Sequence, residues 1–164
     1  MSYIRSFPLL VLPILIYNLI VLSTSWSAEQ AAACSEMLGR NVHPMVCTLQ
    51  STVLSLPMSS ALVLVEGEAA EQIHWAVTLS DSLLMLALVM LFAELLKSTG
   101  IQASSIVNHA LSLIVFVLGL VQFLMFGAFA TSTFFLITLM AVLDVLAGFI
   151  VTISAARRDI SVAG

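Results

Sequence analysis

Two aspartates stand inside hydrophobic runs of this chain, and any chemistry would begin with them. Asp144 sits near the middle of TSTFFLITLMAVLDVLAGFIVTISAARR, residues 131–158, and Asp81 lies in the run that starts near Gln72. An ionised carboxylate at the centre of a bilayer costs at least ~2.5 kcal/mol on insertion scales, so each acid must face other helices, find a partner or hold a proton. Counted at ~1.5 Å per residue from the expected outer ends of their spans, both lie ~14–17 Å deep. No Lys or Arg is available at that depth. Two adjacent acids without a base cannot both ionise cheaply, so a shared proton or bound cation is expected, with Gln122 and Asn18 as neutral ligands. The competing reading is structural: protonated acids that hydrogen-bond across helices and hold the bundle or a partner subunit. That reading is preferred, because a translocation path needs a wet cavity and a lone bundle of this size has little room for one.

The face of Asp144 supports close packing. Met140, Ala141, Ala147, Gly148, Val151 and Ala155 share it at helical spacing, and most are small. Small residues let a neighbouring backbone approach, which is how membrane helices associate without a hydrophobic driving force. Gly119, on the same face of its run as His109, Ser112 and Gln122, is the expected counterpart.

The remaining reactive residues point to structure before catalysis. Cys34 and Cys47 have twelve residues between them and no Cys-x-x-Cys motif, so a disulfide is expected in an oxidising outer compartment. Closing a loop of that size contributes about 3 kcal/mol in the chain-entropy model. Cys34, His43 and Cys47 match no zinc spacing, and the methionines read as adaptable filler, so no metal and no cofactor is expected. His74 with Trp75 reads as an outer interfacial anchor, His109 as an inner one, and Glu94 with Lys97 as a snorkelling ion pair. No Ser-His-Asp order, HExxH, P-loop or GxGxxG occurs, so no enzyme class has support.

The elements that must carry these residues are membrane spans. The 164-residue chain is 61% hydrophobic and 9% charged, with mean hydropathy +1.15, far from the quarter or so of charged residues in a soluble domain. Four runs of spanning length are read at about 6–24, 72–96, 106–128 and 133–156. The fold expected is an all-α integral membrane protein, a single antiparallel four-helix bundle. A signal peptide cleaved after Ser27 is the rival reading of the first run, which is longer than an ordinary signal core and holds Asn18. Pro8 belongs to its first turn, whereas Pro13 is expected to kink it.

One long outer loop, 25–71, joins the first two spans. Ser27 and Gln30 have capping-box spacing, so a short helix is expected from there to Leu38, ended by Gly39. The apolar segment 46–65 has the length of a crossing, but letting it cross would carry Lys97, Arg157 and Arg158 outside. It is therefore read as interfacial, either as two short strands or as a Pro-kinked helix. Arg5, Lys97, Arg157 and Arg158 then share the cytoplasmic side of a bacterial inner membrane with both termini.

The function expected from these features is that of a non-catalytic accessory or scaffold subunit of a larger membrane complex. Its partners would be lipids and other membrane subunits, or further copies of itself, and not nucleic acid, since no basic-aromatic surface is present. An oligomeric proton- or cation-coupled transporter using Asp81 and Asp144 is the first alternative. A lipid- or quinone-site membrane enzyme is the second.

Overall fold

The computed structural model describes residues 7–39, 41–51, 53–54, 77–98 and 104–162. They form a mostly helical protein with three helices long and apolar enough to cross a membrane and one shorter apolar helix. In chain order these residues form α1 (Val11–Ser23), α2 (Ala28–Leu38), α3 (Met45–Ser51), β1 (Val53–Leu54), β2 (Val77–Thr78), α4 (Leu79–Ser98), α5 (Ser104–Met125), a 3-10 turn (Gly127–Phe129) and α6 (Ser132–Val162). His74, Trp75, the acidic stretch 66–71, Arg5 and Arg40 lie outside the described residues.

The four apolar helices alternate in direction. The Leu9 N–H, just before α1, bonds Glu94 near the end of α4, and Lys97 there bonds Asn108 near the start of α5. At the opposite end the hydroxyls of Ser80 and Thr133 meet at 2.6 Å and hold the starts of α4 and α6 level. Helix α6 packs most extensively, against α5 and α4, while α1 leans on α4 and α6. Its inward stripe is Phe134, Ile137, Ala141, Asp144 and Gly148, an i+3/i+4 series buried along its length. Leu10 just before α1, Ile14 and Tyr17 from α1, Met45 and Leu49 from α3, and Leu83, Ala87 and Leu91 from α4 complete the core around it.

Several boundaries differ from the expected ones, each for a local reason. Helix α1 has 13 residues and starts at Val11, so Pro13 falls in its first turn, where a missing N–H is no loss, and causes no interior kink. It ends where the hydroxyls of Ser23 and Thr24 bond back to the Ile20 carbonyl. Helix α4 starts at Leu79 and not at Gln72, because Thr78 and Asp81 form a reciprocal cap. The Thr78 N–H donates to Asp81 Oδ2 at 3.0 Å, and the Asp81 N–H to Thr78 Oγ1 at 3.2 Å. Helix α6 is 31 residues long and runs through Arg157 and Arg158. Those arginines end the apolar run but not the helix, since arginine and alanine are good helix formers.

The disulfide end is closed by α2 and α3. Ser27 caps α2 through the full capping box with Gln30, and Gly39 ends it with φ 63°, a conformation glycine adopts without strain. A disulfide joins Cys34 to Cys47, with the Cα atoms 6.0 Å apart, and so ties α2 to α3, whose Met45 and Leu49 enter the core. The first part of the 46–65 segment is thus helix α3. The two residues of β1 then pair antiparallel with β2, Val53 opposite Thr78 and Leu54 opposite Val77. Residues 55–65 lie outside the described residues.

His43 is the pH-sensitive part of this cap. Its ring meets the edge of Trp26 at 4.9 Å, and its Nδ1 accepts a hydrogen bond from the Met45 N–H at 3.2 Å. Partial burial holds its pKa below the ordinary value of 6.5. The unfolded cap therefore binds the proton more readily. Stability is complete above the ordinary histidine value and declines as pH falls through it toward the lower folded value. Lowering the pH from ~7.5 to ~5 is expected to loosen the cap, read as a change in Trp26 fluorescence in a Trp75→Phe background. His43→Gln should abolish the response, and a response that survives it assigns the titration to another group.

Candidate functional site

The buried residues Glu94, Asn108, His109, Ser112 and Asp144 gather toward the Lys97 end. Helix α4 brings Glu94 there on the same face as Leu83, Ala87 and Leu91, so the carboxylate is 0% exposed. Glu94 Oε1 lies 3.0 Å from Lys97 Nζ and also accepts from the Asn108 amide. Its Oε2 accepts from the Leu9 N–H at 3.0 Å. Lys97 directs its three donors to Glu94, to Asn108 Oδ1 at 3.0 Å and to the Phe7 carbonyl at 2.7 Å. Its ammonium is thereby saturated. This lattice joins the segment before α1, the end of α4 and the start of α5.

Helix α5 faces α6 with Asn108, His109, Ser112 and Gly119 buried. The two run antiparallel in one register: His109 lies against Gly148, Gly119 against Thr138, and the Phe123 ring against Phe135 at 5.4 Å. A methyl group at Gly148 would coincide with the His109 imidazole. Glycine is required there because the ring occupies the space a side chain would need. Asp144 follows one turn earlier on α6, 1% exposed, with Ser112, Glu94, His109 and Lys97 within electrostatic reach. His109 is thus a buried neighbour of Asp144, and the expected Glu94–Lys97 ion pair forms with its carboxylate buried and fully bonded.

The four residues expected to share one site occupy three places. Asp81 is exposed in the first turn of α4, one residue past the Ser80–Thr133 contact, where its carboxylate caps the helix. Asp144 lies eleven residues beyond Thr133, about 16 Å further along the bundle. The two acids therefore do not pair, and the acid near Asp144 is Glu94. Asn18 and Gln122 bond each other, Gln122 Nε2 donating to Asn18 Oδ1 at 2.9 Å, and so join α1 to α5. Gln122 is ten residues along α5 from Ser112, about 15 Å away, so neither amide is a ligand of Asp144. Of the small residues, Ala141, Gly119 and Gly148 are buried in helix contacts, and Ala147 is half-buried.

Some of this was visible in the chain. Thr78-Leu79-Ser80-Asp81 has capping-box spacing and marks both the start of α4 and the task of Asp81. Glu94 and Lys97 stand three residues apart on one face, but their shared partner Asn108 comes from another helix. No motif or spacing in the sequence marks Tyr17. It is 0% exposed, donates to the Ala128 carbonyl at 3.1 Å and shares a 2.7 Å hydrogen bond with Thr131.

Asp81→Ala should therefore act as the loss of a helix cap, costing about 1 kcal/mol of local stability. Faster amide exchange confined to the first turn of α4 is the expected result. A change spreading to Asp144 would contradict the separation of the two acids. No protein-family model, curated protein or solved structure matches the chain.

Proposed function

We propose that the chain is a four-pass inner-membrane protein that serves as a non-catalytic accessory subunit of a larger membrane complex. In this reading it is an antiparallel four-helix bundle with one long periplasmic loop. The carrying observation is the use of its interior polar groups. Leu9 and Phe7 with Glu94 and Lys97, Asn108 with the same pair, Asn18 with Gln122, Tyr17 with Thr131, and Ser80 with Thr133 each tie one helix, or the residues leading into it, to another. Such contacts are the glue of membrane bundles. The outward faces are apolar, as at Leu88, Phe92, Ile114, Leu118, Phe149 and Ile150, and suit lipid or the helices of other subunits.

The orientation rests on charge and redox chemistry. Lys97 marks one end of the bundle and the disulfide the other, so the positive-inside bias sets the Lys97 end and both termini in the cytoplasm. An oxidising periplasm suits the Cys34–Cys47 bridge. Pairing of β1 with β2 supports an outer loop that leaves and rejoins the bundle at the same end. Helix α1, with Leu10 just before it, contributes Ile14 and Tyr17 to the core, which supports a retained first span. A transport reading would have to run through Asp144 without Asp81.

Native mass spectrometry after gentle detergent extraction from the protein's own membrane tests the proposal. A defined complex with other membrane subunits is expected. Recovery alone, or only as a homo-oligomer, would overturn it.

A further inference from the structure

Of the two buried acids among the described residues, the interhelical contacts leave one out. Neither carboxylate oxygen of Asp144 accepts a hydrogen bond from any described residue, and the Ser112 hydroxyl, 3% exposed, is likewise without a partner. The register that sets His109 against Gly148 and Gly119 against Thr138 brings Ser112 and Asp144, about one turn along each helix, to the same level of the α5–α6 contact. Among the described residues, the charged and titratable groups facing Asp144 are Glu94 and Lys97 from α4 and His109 from α5. From the α1 side, the Leu9 N–H is directed to Glu94. Lys97 has already placed its three donors elsewhere. Lys97 therefore answers Glu94, and among the described residues the His109 imidazole, but no uncommitted ammonium, faces Asp144.

We propose that Asp144 and Ser112 form an intramembrane proton-binding site. The Asp144 carboxylate takes up one proton from water at the Lys97 end, and the resulting carboxylic O–H donates to the Ser112 oxygen. When the proton leaves by the same route, the Ser112 hydroxyl turns and donates to the carboxylate. A hydroxyl can serve in either direction, so one hydrogen bond is kept in both states. Only an O–H bond is made or broken. A hard cation fits less well, because Asp144 and Ser112 offer three oxygens where such ions take about six or more. The Lys97 ammonium would also repel it. Among the described residues no group of three or more His, Cys, Asp and Glu is placed to hold a metal ion. The site does not depend on the accessory-subunit reading, whose test is the identity of co-purifying chains.

Infrared difference spectroscopy of the full-length protein in lipid nanodiscs, titrated between acid and alkaline pH, reads the site directly. A buried carboxylic C=O band that appears on acidification is expected. It should be lost in Asp144→Asn, move to higher wavenumber in Ser112→Ala, and persist in Glu94→Gln and Asp81→Asn. Absence of a pH-dependent band, its survival in Asp144→Asn, or its loss in either control overturns the proposal. If Asp144→Asn does not assemble, Ser112→Ala decides, since it keeps the acid: a shifted band supports the site and an unmoved one overturns it. A spectral change driven by Na⁺ or K⁺ at constant pH would assign the site to a cation and overturn it as well.

Discussion

Replacing Lys97 with methionine is expected to destabilise the bundle by about 3–5 kcal/mol, the cost of removing one partner from a buried ion pair. Glu94 would remain 0% exposed with only the Leu9 N–H and the Asn108 amide to answer its charge, and Asn108 and the Phe7 carbonyl would each lose a donor. The double variant Glu94→Gln/Lys97→Met should recover most of the loss, because a neutral amide in place of the carboxylate leaves no charge stranded. Denaturant titration of the helical signal in detergent measures both. Equal losses in the single and double variants would show that the lattice matters through packing and not through charge.

The second large effect is expected at Gly148. A valine there would drive its methyl groups into the His109 ring, forcing α5 and α6 apart, at a cost of about 1–3 kcal/mol for overpacking. His109→Ala should relieve the clash, so the pair of changes is expected to be milder than Gly148→Val alone. Gly119→Ala is a built-in comparison, since its added methyl would stand 3.4 Å from Thr138 Oγ1, a contact that a small rotation absorbs. The same titration ranks the variants. A Gly119→Ala loss as large as that of Gly148→Val would mean that α5–α6 spacing, and not the His109 contact, sets the cost.

Both effects act near Asp144, but by different routes. Breaking the Lys97–Glu94 pair changes the charge around the proposed proton site while leaving the α5–α6 spacing alone. Enlarging Gly148 displaces His109 and with it the wall beside Asp144. The infrared band of Asp144 should therefore respond to Lys97→Met by a change in its pH dependence. Its response to Gly148→Val should be a broadening, as the Ser112 contact loses its geometry.

The membrane class, the helical runs, the α2 helix between Ser27 and Gly39, and a disulfide-forming pair of cysteines followed from the chain by itself. Each rests on local physics: run length against bilayer thickness, a hydroxyl and an amide three residues apart, a glycine in the left-handed region. The partner of Asp144 did not follow, although Glu94, Asp81 and Asp144 were all in view. Depth inside a bundle depends on where each helix begins, and moving the start of α4 from Gln72 to Leu79 shifts Asp81 outward by about 10 Å. The capping box at Thr78 encodes that start, but hydropathy pulls the apparent boundary toward Trp75. Which polar side chains meet depends further on rotation and neighbour choice among helices that are apolar nearly all round. Glu94 and Lys97 come from the end of α4 and Asn108 from the start of α5, and only the packing of α6 against both helices sets Asp144 beside them with no hydrogen-bond donor among the described residues.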